Sequence, residues 1–597
     1  MPRRRSRIVL TENIFMRIEI LKRSAVMLYL TVVFSVFTIA QNTTSTLTGT
    51  TSDSDDILPG AVIKLTEVES GITYSAISNQ KGQFRITGLT PGGPYRLEVS
   101  YVGHKKSVID IKRISLGEVY SCNVELTSGN ELQEVIVKGQ AAALRKTGSS
   151  ESISAEDIDN KATVDRTLQD ILAMSPYYIG SGSFGGRDGG MNNYSIDGAN
   201  FNANMGLDRE KMPGAGTPFA LEALEDIQIV NSAFDVKNSN FMGATINAVT
   251  KKGTNTFRGS AYHFYKDESL RGNRVDGEEL TAPRGDIKRT IYGLTLGGPI
   301  IKDKLFFFVS AELENTPLQL HQWQASKDGV EDGKNLISRV TESDMKQFAS
   351  DLQSMYGWNP GSYNDFTGDN KFFRLMTRID WNISKYHKLT LRYNQTNGKK
   401  DNSYSSPGMG MNDGRVSIYS MVFDGSNWKK VDNVYSLTGE LNSRFGNNIT
   451  NTLRASFTFN DANNRECDAA FPCIEIMKPY DGDGKNHAYM SAGYDPYAWL
   501  NGINEKSWNV VDNMNISLGN HFLTVGAGFE STKASNCFMK YGAGYYRYAS
   551  YDDFLQKKAP VAFAMCWSLT GKERALSDVT YNRLSAYLQD EWQLSDR

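Results

Sequence analysis

The chain has 597 residues, 40% hydrophobic and 22% charged, with a formal net charge of -2. That size calls for several domains, and the balance excludes a disordered acidic tail and a polycation, so nucleic acid is not an expected partner. The 53 glycines, 29 tyrosines and 28 phenylalanines push the composition towards antiparallel β structure with many turns.

At the N-terminus, Arg3, Arg4, Arg5, Arg7, Lys22 and Arg23 precede an apolar run from Ala25 to Ile39, and Thr38-Ile39-Ala40 before Gln41 suits a signal peptidase. Residues 1–40 are therefore expected to be an export signal, with Met16 as an alternative start. The run falls short of the ~20 residues of a membrane span. No cysteine follows Ala40, so a lipid anchor is not indicated. Without another long apolar stretch, membrane residence must be as a barrel.

Residues 45–127 read as a small β-sandwich. Runs at 61–65, 73–77, 82–86, 95–99 and 107–111 are strands, and Asn79-Gln80-Lys81-Gly82 and Thr90-Pro91-Gly92-Gly93 are turns between them. The set from Asn79 to Phe84, with Gly88-Leu89, Pro91-Gly92, Tyr95 and Gly103, resembles the carboxypeptidase regulatory-like (transthyretin-like) domain, common at the front of Bacteroidetes receptors. The six histidines are scattered and no His/Glu ligand set is visible, so neither peptidase activity nor a metal is expected.

The linker at 128–150 contains Leu132-Gln133-Glu134-Val135-Ile136-Val137, a short β-former in a polar setting. It is either a last strand of the sandwich or a strand donated to a partner's sheet edge.

Residues 151–255 read as a compact α+β domain. Leu168, Ile171 and Leu172 share one helical face, which Pro176 terminates. A glycine-rich loop from Gly180 to Gly190 leads to Tyr194-Ser195-Ile196-Asp197-Gly198, a strand entering an Asp-Gly turn. Leu221 to Leu224 is a short helix and Ile227 to Val230 a strand. Gly243, Ala244 and Ala248 are small enough for close backbone approach.

The strand with Ile196-Asp197-Gly198, then Phe234-Asp235-Val236, Gly243-Ala244-Thr245-Ile246-Asn247-Ala248-Val249-Thr250 and Lys252-Gly253-Thr254-Asn255, resembles the plug domain of TonB-dependent outer-membrane receptors. The pattern from Phe234 through Gly259 is similar to the Oar-like branch. The resemblance implies that Leu132, Glu134, Val135, Ile136 and Val137 form the TonB box, the strand that the periplasmic domain of TonB engages.

From Thr256 the strands alternate. In residues 305–314 the odd positions are all apolar and the even ones turn polar, and 389–394, 435–441, 453–459 and 584–592 behave alike. One face would meet lipid and the other a polar lumen. Short connections at 297–303, 382–386, 445–448 and 519–520 alternate with long ones at 267–286, 315–370, 395–430, 461–508 and 531–580. That order is the one expected of a transmembrane barrel with outer loops and periplasmic turns. About ten strands can be counted at 256–597, against about 22 in plugged transporters, so the barrel is expected to be partial. The fold class is mainly β: a sandwich, a small α+β plug and the N-terminal part of an antiparallel barrel.

Cys467 and Cys473 share one expected outer loop and Cys537 and Cys566 the next, which suggests two loop-local disulfides, with free thiols as the alternative and Cys122 left over. Asp481-Gly482-Asp483-Gly484-Lys485-Asn486 lacks the spacing and closing glutamate of a calcium loop and reads as a solvated turn.

No nucleophile, base and orienter set and no phosphate loop is visible, so an enzyme is not expected, nor a cofactor. The resemblance implies an outer-membrane transporter with periplasmic N-terminal domains, surrounded by lipid. The alternatives are a SusC-like glycan importer with a surface lipoprotein, or an adhesin. The mixture of amides and aromatics at Phe184, Arg187, Asn192, Asn193, Tyr194, Asn200, Phe201 and Asn202 suits a peptide, protein or glycan ligand at the plug apex, with outer loops such as 315–370 and Trp428.

Overall fold

The computed structural model describes residues 42–129, 135–137, 148–202, 217–404, 414–467 and 471–592, apart from positions 55, 164, 234, 239–240, 281–284, 286 and 365. The expected export signal, Leu132 and Glu134 lie outside the described residues.

The N-terminal module is a two-sheet sandwich. One sheet joins Gln83–Leu89, Ser45–Ser52, Val119–Ser121 and Val124–Glu125, and the other runs Thr73–Ile77, Val62–Glu67, Tyr95–Ser100, Ser107–Ile111, Val135–Val137. Period-two burial along Ser45–Ser52 and Tyr95–Ser100 sends Leu47, Tyr95, Leu97 and Val99 inward. They pack with Ile63, Leu65, Phe84 and Ile86 into one core. Burying each such side chain contributes about 1.5–3 kcal/mol. The segment Val135–Val137 pairs in parallel with Ser107–Ile109. Val135–Val137 is thus an edge strand of this sheet.

The plug is built on a five-stranded mixed sheet in the order Gly148–Ser154, Leu224–Ala233, Thr245–Thr250, Asn193–Ile196, Ala199–Asn200. Two short helices, Ala155–Asn160 and Leu168–Leu172, begin in capping boxes, Ser154 with Asp157 and Thr167 with Asp170. Leu168, Ile171 and Leu172 are buried against Ile227, Ile229 and Ile246. The central strand Thr245–Thr250 is buried at every position, because one face meets this core and the other meets the barrel wall. A Cβ on Gly243 would lie 2.3 Å from Asn192 Oδ1, so only glycine allows that approach.

Around the plug curves a ten-stranded antiparallel sheet, from Arg258–Lys266 through to Leu576–Trp592, with each strand paired to its sequence neighbour. In Leu305–Asn315 the even positions Phe306, Phe308, Ser310 and Glu312 are buried against the plug. The outer face is apolar, with Leu294, Leu313, Leu391, Leu437, Leu453, Trp508, Phe529, Leu584 and Leu588 exposed, as a lipid-facing surface requires. Short turns such as Gly519 and Asn520 alternate with long connections, as expected from the sequence.

The long connections are more than loops. Residues 316–369, 414–427, 471–501 and 538–575 contribute jointly to one folded cap. It has a five-stranded sheet, Met421–Val422, Lys485–Ala492, Cys473–Tyr480, Tyr545–Tyr548, Ala562–Ala564, and a helix, Glu342–Tyr356. Met345, Phe348 and Leu352 from the helix meet Phe423, Ile474, Ile476 and Phe554 in a separate core.

Candidate functional site

One fastening of the plug to the barrel wall converges on a single carboxylate. Asp197 and Gly198, at φ +43° and +74°, turn the chain between Asn193–Ile196 and Ala199–Asn200, the two left-handed residues of a type I′ hairpin. The turn presents Asp197 to the wall. Its carboxylate accepts from the Thr250 backbone N–H at 2.9 Å, the Thr250 hydroxyl at 2.7 Å and Arg392 Nη1 at 3.3 Å, with Arg378 Nη1 at 3.8 Å. Arg378 also forks onto Asp380 at 2.8 and 3.0 Å and donates to the Thr250 carbonyl at 2.8 Å. Arg392 is 1% exposed and donates to Thr438 at 3.0 Å. Arg454 lies 3.6 Å from Glu440 in the same wall. A Cβ on Gly198 would fall 1.5 Å from Arg454 Nη1, so that guanidinium covers the turn.

A second group of contacts holds the plug nearer the outer side. Arg374 Nε donates to the Thr217 carbonyl at 2.7 Å while its Nη1 binds Glu312 at 2.8 Å and Glu314 at 2.7 Å. Thr396 donates to the Pro218 carbonyl at 2.5 Å and Asn394 to the same oxygen at 3.3 Å. Lys266 reaches Asp165 at 3.0 Å. Plug and wall therefore meet mainly through charged and hydrogen-bonded groups, with few apolar side chains such as Val434 joining the plug core.

The eight residues expected to meet ligand take a different place. Phe184, Asn192, Asn193, Tyr194, Phe201 and Asn202 are buried, Asn200 is half-buried, and Arg187 is exposed. Their amides bond to one another and to the backbone. Asn192 Nδ2 donates to the Gly182 carbonyl at 2.6 Å and its Oδ1 accepts from Ala244 N at 2.9 Å. Asn202 Oδ1 accepts from Tyr194 N at 2.9 Å and its Nδ2 donates to Asn193 Oδ1 at 2.8 Å. These asparagines brace the glycine-rich loop against the sheet, since a buried amide must be satisfied inside. Arg187 Nη1 caps the carbonyls of Asn231 and Gly243, both at 3.1 Å. In the same domain Ile179, Met191 and Met242 are exposed at 67%, 42% and 70%. Trp428 is half-buried with Arg465 4.4 Å over its ring.

Among the described residues the structure shows no disulfide. Cys473 is buried in the cap sheet, where burial pushes its thiol up to about 12, while Cys467 lies beyond the end of the barrel strand Ile449–Glu466. Residues 481–484 make the hairpin turn between Cys473–Tyr480 and Lys485–Ala492, in which Asp483 accepts from Lys485 N at 2.9 Å and contacts His487 Nε2 at 2.9 Å. Among the described residues no cluster of His, Cys, Asp or Glu is arranged to hold a metal. The cap carries a buried network instead: Arg415 Nε at 3.0 Å and Arg547 Nη2 at 2.9 Å both donate to Glu475.

A cavity of about 480 Å³ lies where sandwich, plug and barrel turns meet, lined by Tyr74, Thr90, Asp197, Lys252, Arg378 and Lys388 among others. No local pattern signals it, because its three walls are distant in the chain. The plug-facing arginines were more accessible, since Arg378, Arg392 and Arg454 occupy inward positions of otherwise regular alternation.

Comparison with known proteins agrees with this architecture. The carboxypeptidase regulatory-like domain family matches residues 46–127, and the outer membrane beta barrel domain family matches residues 249–322 and 334–597. The TonB-dependent transporter Oar of Myxococcus xanthus is 24% identical over 382 residues, 59% of this chain and 33% of that protein. The structure of the outer membrane transporter YddB from Escherichia coli superposes with a TM-score of 0.50 at 11% identity, covering 74% of this chain and 54% of the other. The chain thus spans about a third of the length of the curated relative it matches. More than half of its residues match one family, and on that basis the chain, an Oar-like homologue of TonB-dependent transporters located in the outer membrane, belongs to the outer membrane beta barrel domain family.

Proposed function

We propose that this protein is a TonB-dependent receptor that admits a peptide-like ligand when its plug is released from the barrel wall. The observation that carries the reading is the character of the plug–wall contact. Asp197, Arg378 and Arg392 on one level and Arg374 with Thr217 on another hold the plug by charges and hydrogen bonds. Apolar packing of similar volume would often be more stable than such buried ion pairs by about 1–4 kcal/mol. A permanent core therefore has little reason to use them, whereas a stopper that must separate and reseat benefits from contacts that water can replace.

The force would come through Val135–Val137. This strand is held to the sandwich by main-chain pairing along one edge, and another sheet edge can take over such pairing without new side-chain chemistry. The partner is the periplasmic domain of TonB. Domain limits of 45–127 for the sandwich, 128–150 for the linker, 151–255 for the plug and 256–597 for the barrel follow from the same reading.

For the ligand, exposed Arg187, whose guanidinium caps the Asn231 and Gly243 carbonyls, together with exposed Ile179, Met191 and Met242 of the same domain offers charge and apolar surface, a combination suited to a peptide. Phe184, Asn192, Asn193, Tyr194, Asn200, Phe201 and Asn202 act behind this surface by fixing its loop. The test is binding of the receptor to a peptide pool, a glycan array and ferric siderophores in parallel. Selective peptide binding that weakens in Arg187→Ala supports the reading. Binding to glycans alone favours a SusC-like importer, and binding to a siderophore alone, unaffected by Arg187→Ala, refutes the ligand class and the site.

A further inference from the structure

The sandwich does not hang free of the rest of the molecule; it touches both the plug and the barrel turns, and the two contacts differ in kind. On the plug side Arg113 donates to Glu225 Oε1 at 2.8 Å, the Glu225 carbonyl at 2.7 Å and Asp226 Oδ2 at 3.0 Å. The Leu116 backbone N–H reaches the same Asp226 oxygen at 3.1 Å, and Asp226 is 0% exposed. Lys252 of the plug is paired with Glu67, whose side chain is 1% exposed. Burial alone would raise Glu67, but the ammonium groups of Lys252 and, from the barrel strand His387–Asn402, of Lys388 hold its carboxyl below the ordinary range.

On the barrel side, where Thr43 also donates to Glu440 at 2.9 Å and Lys388 to Thr90 at 3.3 Å, the contacts are as numerous but the ion pairs are wetter. Arg85 forks onto Glu591 at 3.0 and 3.2 Å, but the Glu591 side chain is 42% exposed. Arg258 meets Glu69 at 2.6 Å with 64% of the arginine side chain exposed. Thr87 and Thr450 share a hydrogen bond at 2.8 Å, and Arg444 donates to the Ser75 carbonyl at 2.8 Å. Exposed pairs of this sort hold weakly and are screened by salt, while a buried pair that loses a partner leaves an uncompensated charge.

From this asymmetry we infer that the sandwich is a latch, bolted to the plug and only tacked to the barrel, which closes the cavity at the periplasmic mouth and leaves the barrel together with the plug. The pairing of Val135–Val137 on Ser107–Ile109 strengthens the inference. A pull on that strand acts first on the sandwich sheet. Arg113 and Glu67 then pass it to Leu224–Ala233 and to Lys252, just after Thr245–Thr250, the strands that carry the plug sheet.

The inference deepens the gating reading, yet its test concerns docking alone, so a receptor that imports nothing would still answer it. Two added-cysteine reporters are made in the receptor, each read apart from the five native cysteines: Thr450→Cys under the sandwich–barrel contact and Gln228→Cys, beside Gly117, under the sandwich–plug contact. The purified receptor is exposed to a maleimide at low salt and at 1 M sodium chloride, where the screening length falls to about 3 Å. Modification is read site by site by mass spectrometry. The latch predicts that labelling at 450 rises about tenfold in high salt while labelling at 228 stays within about twofold. Amide exchange of the unmodified receptor gives a second measure: the Leu116 N–H, bonded to Asp226, stays protected at the same salt. Labelling at 228 that rises with or ahead of 450, loss of Leu116 protection, or a salt-insensitive 450 would each overturn the inference.

Discussion

Replacing Asp197 by Asn changes one oxygen for one nitrogen and removes the negative charge on which the plug–wall contact converges. In the native protein that carboxylate receives two Thr250 bonds and faces Arg392 and Arg378. Asparagine retains the bond from Thr250 N–H, but Arg392, 1% exposed, then lacks its counter-ion. Breaking one member of a buried pair costs about 3–5 kcal/mol. The remaining Thr438 contact and the retained Thr250 bond place the expected loss near the lower end, about 3 kcal/mol. With a urea dependence of about 1–3 kcal/mol per M, the plug should unfold at a urea concentration lower by about 1–3 M. The assay is pulse proteolysis of the purified receptor across a urea series, scoring cleavage within the plug while the barrel stays intact. In the double variant Asp197→Asn with Arg392→Met, most of the loss should return, because no unpaired charge is left buried. A midpoint shift in Asp197→Asn below about 0.3 M, or a double variant less stable than the native receptor by the full sum of the two single losses, would refute the reasoning.

Three further outcomes are expected. Gly198→Ala introduces a Cβ into the space of Arg454 Nη1 and puts alanine at a left-handed φ of +74°; a lowered plug midpoint of at least the ~1 kcal/mol left-handed cost is predicted by the same proteolysis assay. Phe348→Ala empties the centre of the cap core, where Phe348 is 0% exposed, and should cost about 3–5 kcal/mol. Hydrogen exchange in Glu342–Tyr356 should then accelerate while the barrel strands remain protected. N-terminal sequencing of the outer-membrane form should begin at Gln41, and retention of Met1 or Met16 would contradict an export signal at 1–40.

Alternation and turn chemistry made the large features legible. Leu305–Asn315 shows its inward and outward faces in the sequence alone, and the unequal connections gave the strand order. The sandwich strands and the helix with Leu168, Ile171 and Leu172 were legible for the same reason, because local period and burial agree. The amide-rich stretch was misleading. Asn192, Asn193 and Asn202 have the composition of a binding surface, yet buried asparagines bracing a loop have that composition too, and only burial separates the two. The cap was hidden because its sheet joins strands from three connections far apart in the chain, and pairing between them leaves no local pattern. The Asp-Gly turn was visible, but its partners Arg378 and Arg392 come from two different barrel strands, so the fastening could not be assembled from local pattern.

The central claim is energy-driven passage controlled by the strand at Val135–Val137, and Val135→Pro addresses it most directly. Proline removes the backbone donor and cannot complete a paired strand, whether the neighbour is Ser107–Ile111 or the sheet of a partner. The measurement is uptake, by cells carrying the receptor, of the fluorescent peptide selected in the binding screen, with and without a protonophore. The account predicts saturable uptake in the native receptor, lost on adding the protonophore and lost in Val135→Pro, while receptor level and surface binding of the peptide stay unchanged. Uptake by Val135→Pro equal to that of the native receptor, insensitive to the protonophore, would contradict it.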